Sequence, residues 1–217
     1  MSAPITLGGA NPGRATRGLV LVHGRGADAV DILGLGEALG LPNLALAAPT
    51  APGRSWWPTS FLAPMEQMEP FVLAGLDAVE TAIDALLSGG LSRDKIAVAG
   101  FSQGGCLALE YAARRGGVAA VFGLSAGLVG TGDANGGATD ALYGHAPRTF
   151  DYDTDLTGVP VTITVHERDP HIPVTRAQDS LGVLRGLGAT AELHVAPGAG
   201  HGITPAGVTA MRKALNS

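Results

Sequence analysis

The sequence predicts an α/β fold with a mainly parallel central sheet and helices on both faces. Short apolar runs alternate with longer stretches of helical apolar spacing from one end of the chain to the other. Several of the runs are continuously apolar, as in strands buried on both faces. No internal repeat and no linker breaks the pattern, so residues 1–217 are expected to form one domain.

In order, Gly18 to His23 reads as an apolar strand, and Val30 to Leu41 as a helix through the spacing of Ile32, Leu33, Leu35 and Leu39. Leu44 to Ala48 is a second strand ending at Pro49. A loop follows, with Pro49, Pro52, Pro58 and Pro64 around Trp56 and Trp57, and then a long helical segment from about Met65 to Leu87. Lys95 to Ala99 is a buried strand. Cys106, Leu107, Leu109 and Tyr111 suit a helix packed on a sheet, with Arg114 and Arg115 in its last turn and Gly116 as its stop. A strand is expected at Val118 to Phe122. Gly130 to Gly158 is rich in Gly, Asp and Thr and too long for an ordinary connection, so it reads as a functional or mobile surface loop with room for a short helix. Val161 to Val165 is a strand ending near His166, Thr175 to Leu187 a helix, and Ala191 to Val195 the last strand. Thr204 and Pro205 supply a cap and an N1 proline for a final helix.

With 217 residues, 46% apolar and 15% charged, the chain can bury a substantial core. Its formal charge of −5 and lack of a basic cluster argue against nucleic acid or an anionic membrane as partner; a small or neutral substrate fits better. The N-terminus lacks a basic segment followed by an apolar core, and no run approaches the ~18 apolar residues of a membrane span. The single cysteine, Cys106, excludes an internal disulfide, and a cytoplasmic location is expected. Cys106 itself reads as core filling. No cofactor is expected, and homodimerisation stays open.

Chemistry enters at Gly100-Phe101-Ser102-Gln103-Gly104-Gly105, a G-x-S-x-G pattern lying between a strand and a helix. A serine at the tip of so sharp a turn needs small neighbours two residues before and after it. The turn presents its hydroxyl beside a helix N-terminus. Gly123-Leu124-Ser125-Ala126-Gly127 repeats the pattern, but no convincing amphipathic helix follows it, so Ser125 is read as structural.

A serine hydroxyl needs a base, and the base needs an orienting acid. Ligand sites in parallel sheets lie beyond the carboxyl ends of the strands. His201 occupies such a loop, in Pro197-Gly198-Ala199-Gly200-His201-Gly202; His171 is its rival, though it leaves Asp169 almost adjacent. Asp169, followed by Pro170, is the favoured acid. Asp151, Asp153 and Asp155 read as a solvated acidic loop, and Glu167 is a minor alternative. A metal site from His166, Asp169 and His171 lacks a second ligand cluster. The main-chain N–H groups of Gln103 and of Arg25, in His23-Gly24-Arg25-Gly26-Ala27-Asp28, are the candidate oxyanion donors. A phosphate nest is the rival reading of that loop, but the P-loop lysine and Ser/Thr are missing.

Together with Arg54-Ser55-Trp56-Trp57 and Asp169-Pro170-His171-Ile172-Pro173, these motifs resemble the phospholipase/carboxylesterase family of α/β-hydrolases, which includes bacterial carboxylesterases and acyl-protein thioesterases. The resemblance runs from the first strand to the last helix. It implies an α/β-hydrolase fold without a large lid domain, a triad on Ser102, Asp169 and His201, and an oxyanion hole at Arg25 and Gln103. The thioesterases usually carry an apolar residue where Arg25 stands. Arg25 is therefore expected to narrow an acyl channel or to meet a substrate carboxylate. Trp56, Trp57, Phe61 and Met65 are assigned to the substrate side, although only one of two adjacent tryptophans can easily face a pocket. A small-molecule ester is the expected substrate, with long acyl chains as the alternative and a non-catalytic ligand binder as the weaker one.

Overall fold

A computed structural model describes residues 3–134 and 144–216 of the chain. Seven strands, β1 (Ile5–Gly9), β2 (Arg17–Val22), β3 (Leu44–Pro49), β4 (Ile96–Phe101), β5 (Val121–Leu124), β6 (Pro160–Arg168) and β7 (Thr190–Ala199), form one sheet in the order β1-β3-β2-β4-β5-β6-β7. All pairings are parallel except that of β1 with β3. Among the described residues five α-helices accompany them: α1 (Ala29–Ala38), α2 (Met65–Ser88), α3 (Gln103–Arg114), α4 (Val174–Gly186) and α5 (Pro205–Leu215).

Alternating strand residues feed two cores. Val20, Val22, Val98, Val121 and Ile163 pack with Leu76, Val79 and Ile83 of α2, Leu107 and Leu109 of α3 and Leu184 of α4. On the opposite face, Leu19, Leu21, Ala97 and Phe122 meet Ile32 and Leu33 of α1 and Met211 and Leu215 of α5. Both faces of the sheet are therefore covered, which accounts for the uniformly apolar strands. Among the described residues no helix is long and apolar enough to cross a membrane.

Several element boundaries differ from the sequence reading. β1 was not anticipated; it is a short, half-buried edge strand ending in two glycines. The fifth strand begins at Val121, not Val118, because the parallel register with β4 opens at Val98↔Val121 and closes at Phe101↔Leu124. β6 and β7 run three or four residues further than expected, to Arg168 and Ala199, with an irregularity between His166 and Arg168. Part of the Gly130–Gly158 stretch, residues 135–143, lies outside the described residues. The remainder holds no helix, and Arg148, Tyr152 and Leu156 pack it onto the body of the protein.

This register lines up the carboxyl ends of the strands. Val22 pairs with Gly100, Phe101 with Leu124, and Leu124 with Thr164. The segments that follow, containing Arg25, Ser102, Ser125, Asp169 and His201, thus emerge along one rim of the sheet.

Candidate active site

Ser102 links β4 to α3 with φ 54° and ψ −120°, a left-handed strain that an L-residue tolerates only when its surroundings enforce it. Two glycines supply the room. A Cβ on Gly100 would collide with the main chain of Gly104, and one on Gly104 with the carbonyls of Val22 and His23. A serine in front of a helix ordinarily caps it, a bond whose loss costs about 1 kcal/mol. Ser102 makes no such bond: its Oγ lies 2.8 Å from Nε2 of His201.

His201 is two residues beyond β7, on a glycine-rich loop that passes close to β6; a side chain at Gly200 would meet the His166 ring at 2.8 Å. Its Nδ1 lies 2.9 Å from both carboxylate oxygens of Asp169. Asp169 directly follows β6, closer to the strand than the sequence reading had it. Its carboxylate is wholly buried, with Oδ1 also accepting from the main-chain N–H groups of His171 (2.8 Å) and Ile172 (3.0 Å). With Asp169 ionised, Nδ1 carries the proton and Nε2 is free to accept one from Ser102. His171, the rival base, sets its ring edge-on against His201 at 4.7 Å between centroids. Glu167 instead accepts from Gly198 N at 2.9 Å and ties the ends of β6 and β7 together. Asp151, Asp153 and Asp155 are exposed, and the first two border a different cavity.

A cavity of about 630 Å³ opens over Ser102 and is lined by Arg25, Trp57, Phe61, Gln103 and His171 among others. Two residues assigned to the substrate side lie elsewhere. Trp56 turns inward, stacks on His23 and donates from Nε1 to the His23 carbonyl at 2.9 Å. Met65 packs against Gly130 and borders a second cavity, of about 550 Å³, with Arg114 and Arg148. Cys106 touches the floor of the first cavity but is fully buried, and burial pushes its thiol up to about 12. It stays a protonated thiol at neutral pH.

Three functional contacts escaped the sequence reading. The Gln103 side chain accepts from Trp56 N and donates to Trp57 O, each at 2.9 Å, fastening the tryptophan loop to the elbow. His23, fully buried, donates from Nδ1 to Gly24 O (2.7 Å) and accepts at Nε2 from Ala51 N (3.0 Å); burial holds its pKa below the ordinary value. Ser125 shares the positive φ of Ser102, at 47°, yet its hydroxyl donates to Gly202 O at 2.9 Å and steadies the loop bearing His201. The sequence reading gave Ser125 a structural role; its bond to Gly202 O was not visible there.

The Arg25 guanidinium donates to Pro58 O at 3.1 Å and also to Thr59 O, joining the loop after β2 to the loop before α2.

A model of the phospholipase/carboxylesterase family matches residues 10–217. No curated protein matches this chain in sequence. Among solved structures, a phospholipase/carboxylesterase from Dyadobacter fermentans is 32% identical, with a TM-score of 0.83 over 100% of this chain and 97% of its own. Esterase PE8 is 26% identical (TM-score 0.73, covering 99% and 97%), and the Bacillus cereus carboxylesterase, at 15% identity and TM-score 0.74 over 99% and 93%, shares the fold. The chain belongs to the phospholipase/carboxylesterase family of α/β-hydrolases.

Proposed function

We propose that this protein, acting as one α/β-hydrolase domain in the cytoplasm, is a serine carboxylesterase that cleaves small, short-chain carboxylic esters through an acyl-enzyme on Ser102. The observation that carries the reading is the Ser102–His201–Asp169 chain, with contacts of 2.8 and 2.9 Å at the mouth of an open cavity. Family membership supports ester hydrolysis as the reaction.

His201 Nε2 takes the Ser102 proton as Oγ bonds to the ester carbonyl carbon, and Asp169 steadies the imidazolium. The carbonyl oxygen becomes an oxyanion facing the main-chain N–H groups of Gln103 and Arg25, each worth roughly 3–4 kcal/mol in the transition state. Gln103 is the first residue of α3, so its N–H has no acceptor within the helix. The intermediate collapses, the C–O bond to the alcohol breaks, and the alcohol leaves with the proton held by His201. Water then gives a proton to His201 and attacks the acyl carbon. Oγ departs, regaining its proton, and the carboxylic acid is released.

Trp57 and Phe61 form the apolar wall of the cavity. Long acyl chains are the second reading, disfavoured by the charge that Arg25 sets on the same wall. The test is turnover of a short-chain aryl ester by the wild type and Ser102→Ala, alongside fluorophosphonate labelling. Loss of about 10⁴-fold or more in kcat, with labelling abolished, is expected. Unchanged turnover in the variant would sink the assignment.

A further inference from the structure

The cavity over Ser102 has an unbalanced charge. Arg25 is its one formally charged lining residue among those described; no Asp, Glu or Lys lines it, and the Asp169 carboxylate lies buried behind His201. Among the described residues, the Arg25 guanidinium is bonded only to two main-chain carbonyls, those of Pro58 and Thr59. Carbonyl dipoles orient it without neutralising it. Arg54, Arg93, Arg114 and Arg115 are matched with carboxylates, whereas Arg176, Arg185 and Arg212 donate to main-chain carbonyls as Arg25 does, but none of these seven lines the cavity over Ser102. A guanidinium carries five N–H donors in a rigid fork, so hydrogens remain on Arg25 for an incoming acceptor. The formal charge of −5 on the whole chain opposes anions at long range, but salt screens distant charges over about 8–10 Å, and a contact inside the cavity outweighs it.

We infer that the preferred substrates are esters that carry a carboxylate besides the ester group, and that Arg25 is the specificity-determining residue that receives it. This substrate class rests on the serine-esterase reading above. The carboxylate exchanges with the Pro58 and Thr59 carbonyls for the fork of Arg25 while the ester carbonyl faces Ser102. No covalent step is added to the mechanism.

The test uses two matched pairs of esters, one with the carboxylate on the acyl part and one with it on the alcohol part. Mono(para-nitrophenyl) glutarate is compared with para-nitrophenyl pentanoate, and para-carboxyphenyl butanoate with its methyl ester. In the wild type at least one anionic ester should exceed its neutral partner in kcat/KM by about tenfold, the scale of one charged hydrogen bond. Added sodium chloride should shrink that advantage. Arg25→Gln should abolish the ratio and Arg25→Lys retain part of it. Because the ratio is taken within each enzyme, any shared effect on the oxyanion hole cancels. A wild type with no anionic preference, or an Arg25→Gln enzyme that keeps it, overturns the role of Arg25 and leaves the esterase intact. A wild type that hydrolyses none of the four esters and takes no fluorophosphonate overturns the esterase reading and this substrate class together.

Discussion

The side-chain amide of Gln103 is bonded at both ends to one loop, accepting from Trp56 N and donating to Trp57 O at 2.9 Å each. The residue after Ser102 thereby fixes the wall of the cavity as well as offering its main-chain N–H to it. Truncation orphans the buried Trp56 N–H, at about 1–3 kcal/mol, and leaves Trp57 O with the Ser55 hydroxyl as its partner. Gln103→Ala should lower the melting temperature and raise KM for esters more than it lowers kcat, as measured by thermal unfolding and steady-state kinetics.

Asp169→Asn keeps the shape of the side chain but removes the charge that holds the proton on His201 Nδ1. The wrong tautomer then faces Ser102. A fall in kcat of roughly 10⁴-fold is expected in a folded protein; a variant within tenfold of the wild type would remove Asp169 from the mechanism.

Glu110 on α3 is fully buried, and accepts from Arg114 Nε (2.7 Å), Arg148 (3.1 Å), Val129 N (3.0 Å) and the Tyr152 hydroxyl (2.9 Å). It anchors the segment after Gly144 to the helix that begins behind Ser102. Taking away one member of such a buried cluster costs about 3–5 kcal/mol. Glu110→Gln should therefore lower the melting temperature by roughly 6–20 °C for a chain of this size, which calorimetry would measure.

His23 is buried as the neutral ring, with a folded pKa below its unfolded value of about 6.5. The unfolded chain thus binds the proton more readily. The stabilisation from neutral His23 is fully present above about pH 6.5 and declines as pH falls from there through the folded value. Urea unfolding between neutral and mildly acidic pH should show this loss. His23→Gln should be less stable at neutral pH and lose less on acidification; an identical pH slope in the two proteins would contradict the assignment.

The alternation of strands and helices and the glycine elbow were legible in the chain because each rests on a local pattern. β1 was not, since Ile5 and Leu7 alternate over too few residues before Gly8 and Gly9. The end of β6 was hidden by polar residues such as His166 and Glu167, which a strand next to the sheet edge can carry, and the end of β7 by Pro197 and Gly198. Nothing local marks Glu110, four residues before Arg114, as buried. Its burial depends on Arg148 and Tyr152 folding back from 38 and 42 residues away. Trp56 and Trp57 were both assigned to the substrate side, and only their bonds to His23 and Gln103 show that Trp56 turns inward while Trp57 lines the cavity.

Ser102 and His201 stand 99 residues apart in the chain, and His201 and Asp169 another 32. Their contacts exist only once β4, β6 and β7 are in register, and parallel pairings of such long range are slow to form. A chain that has wound its helices without completing the sheet holds the serine but no base for it. Esterase activity would then track completion of the sheet, and its recovery after dilution from denaturant would time the pairing of β6 and β7 more directly than the return of helical signal.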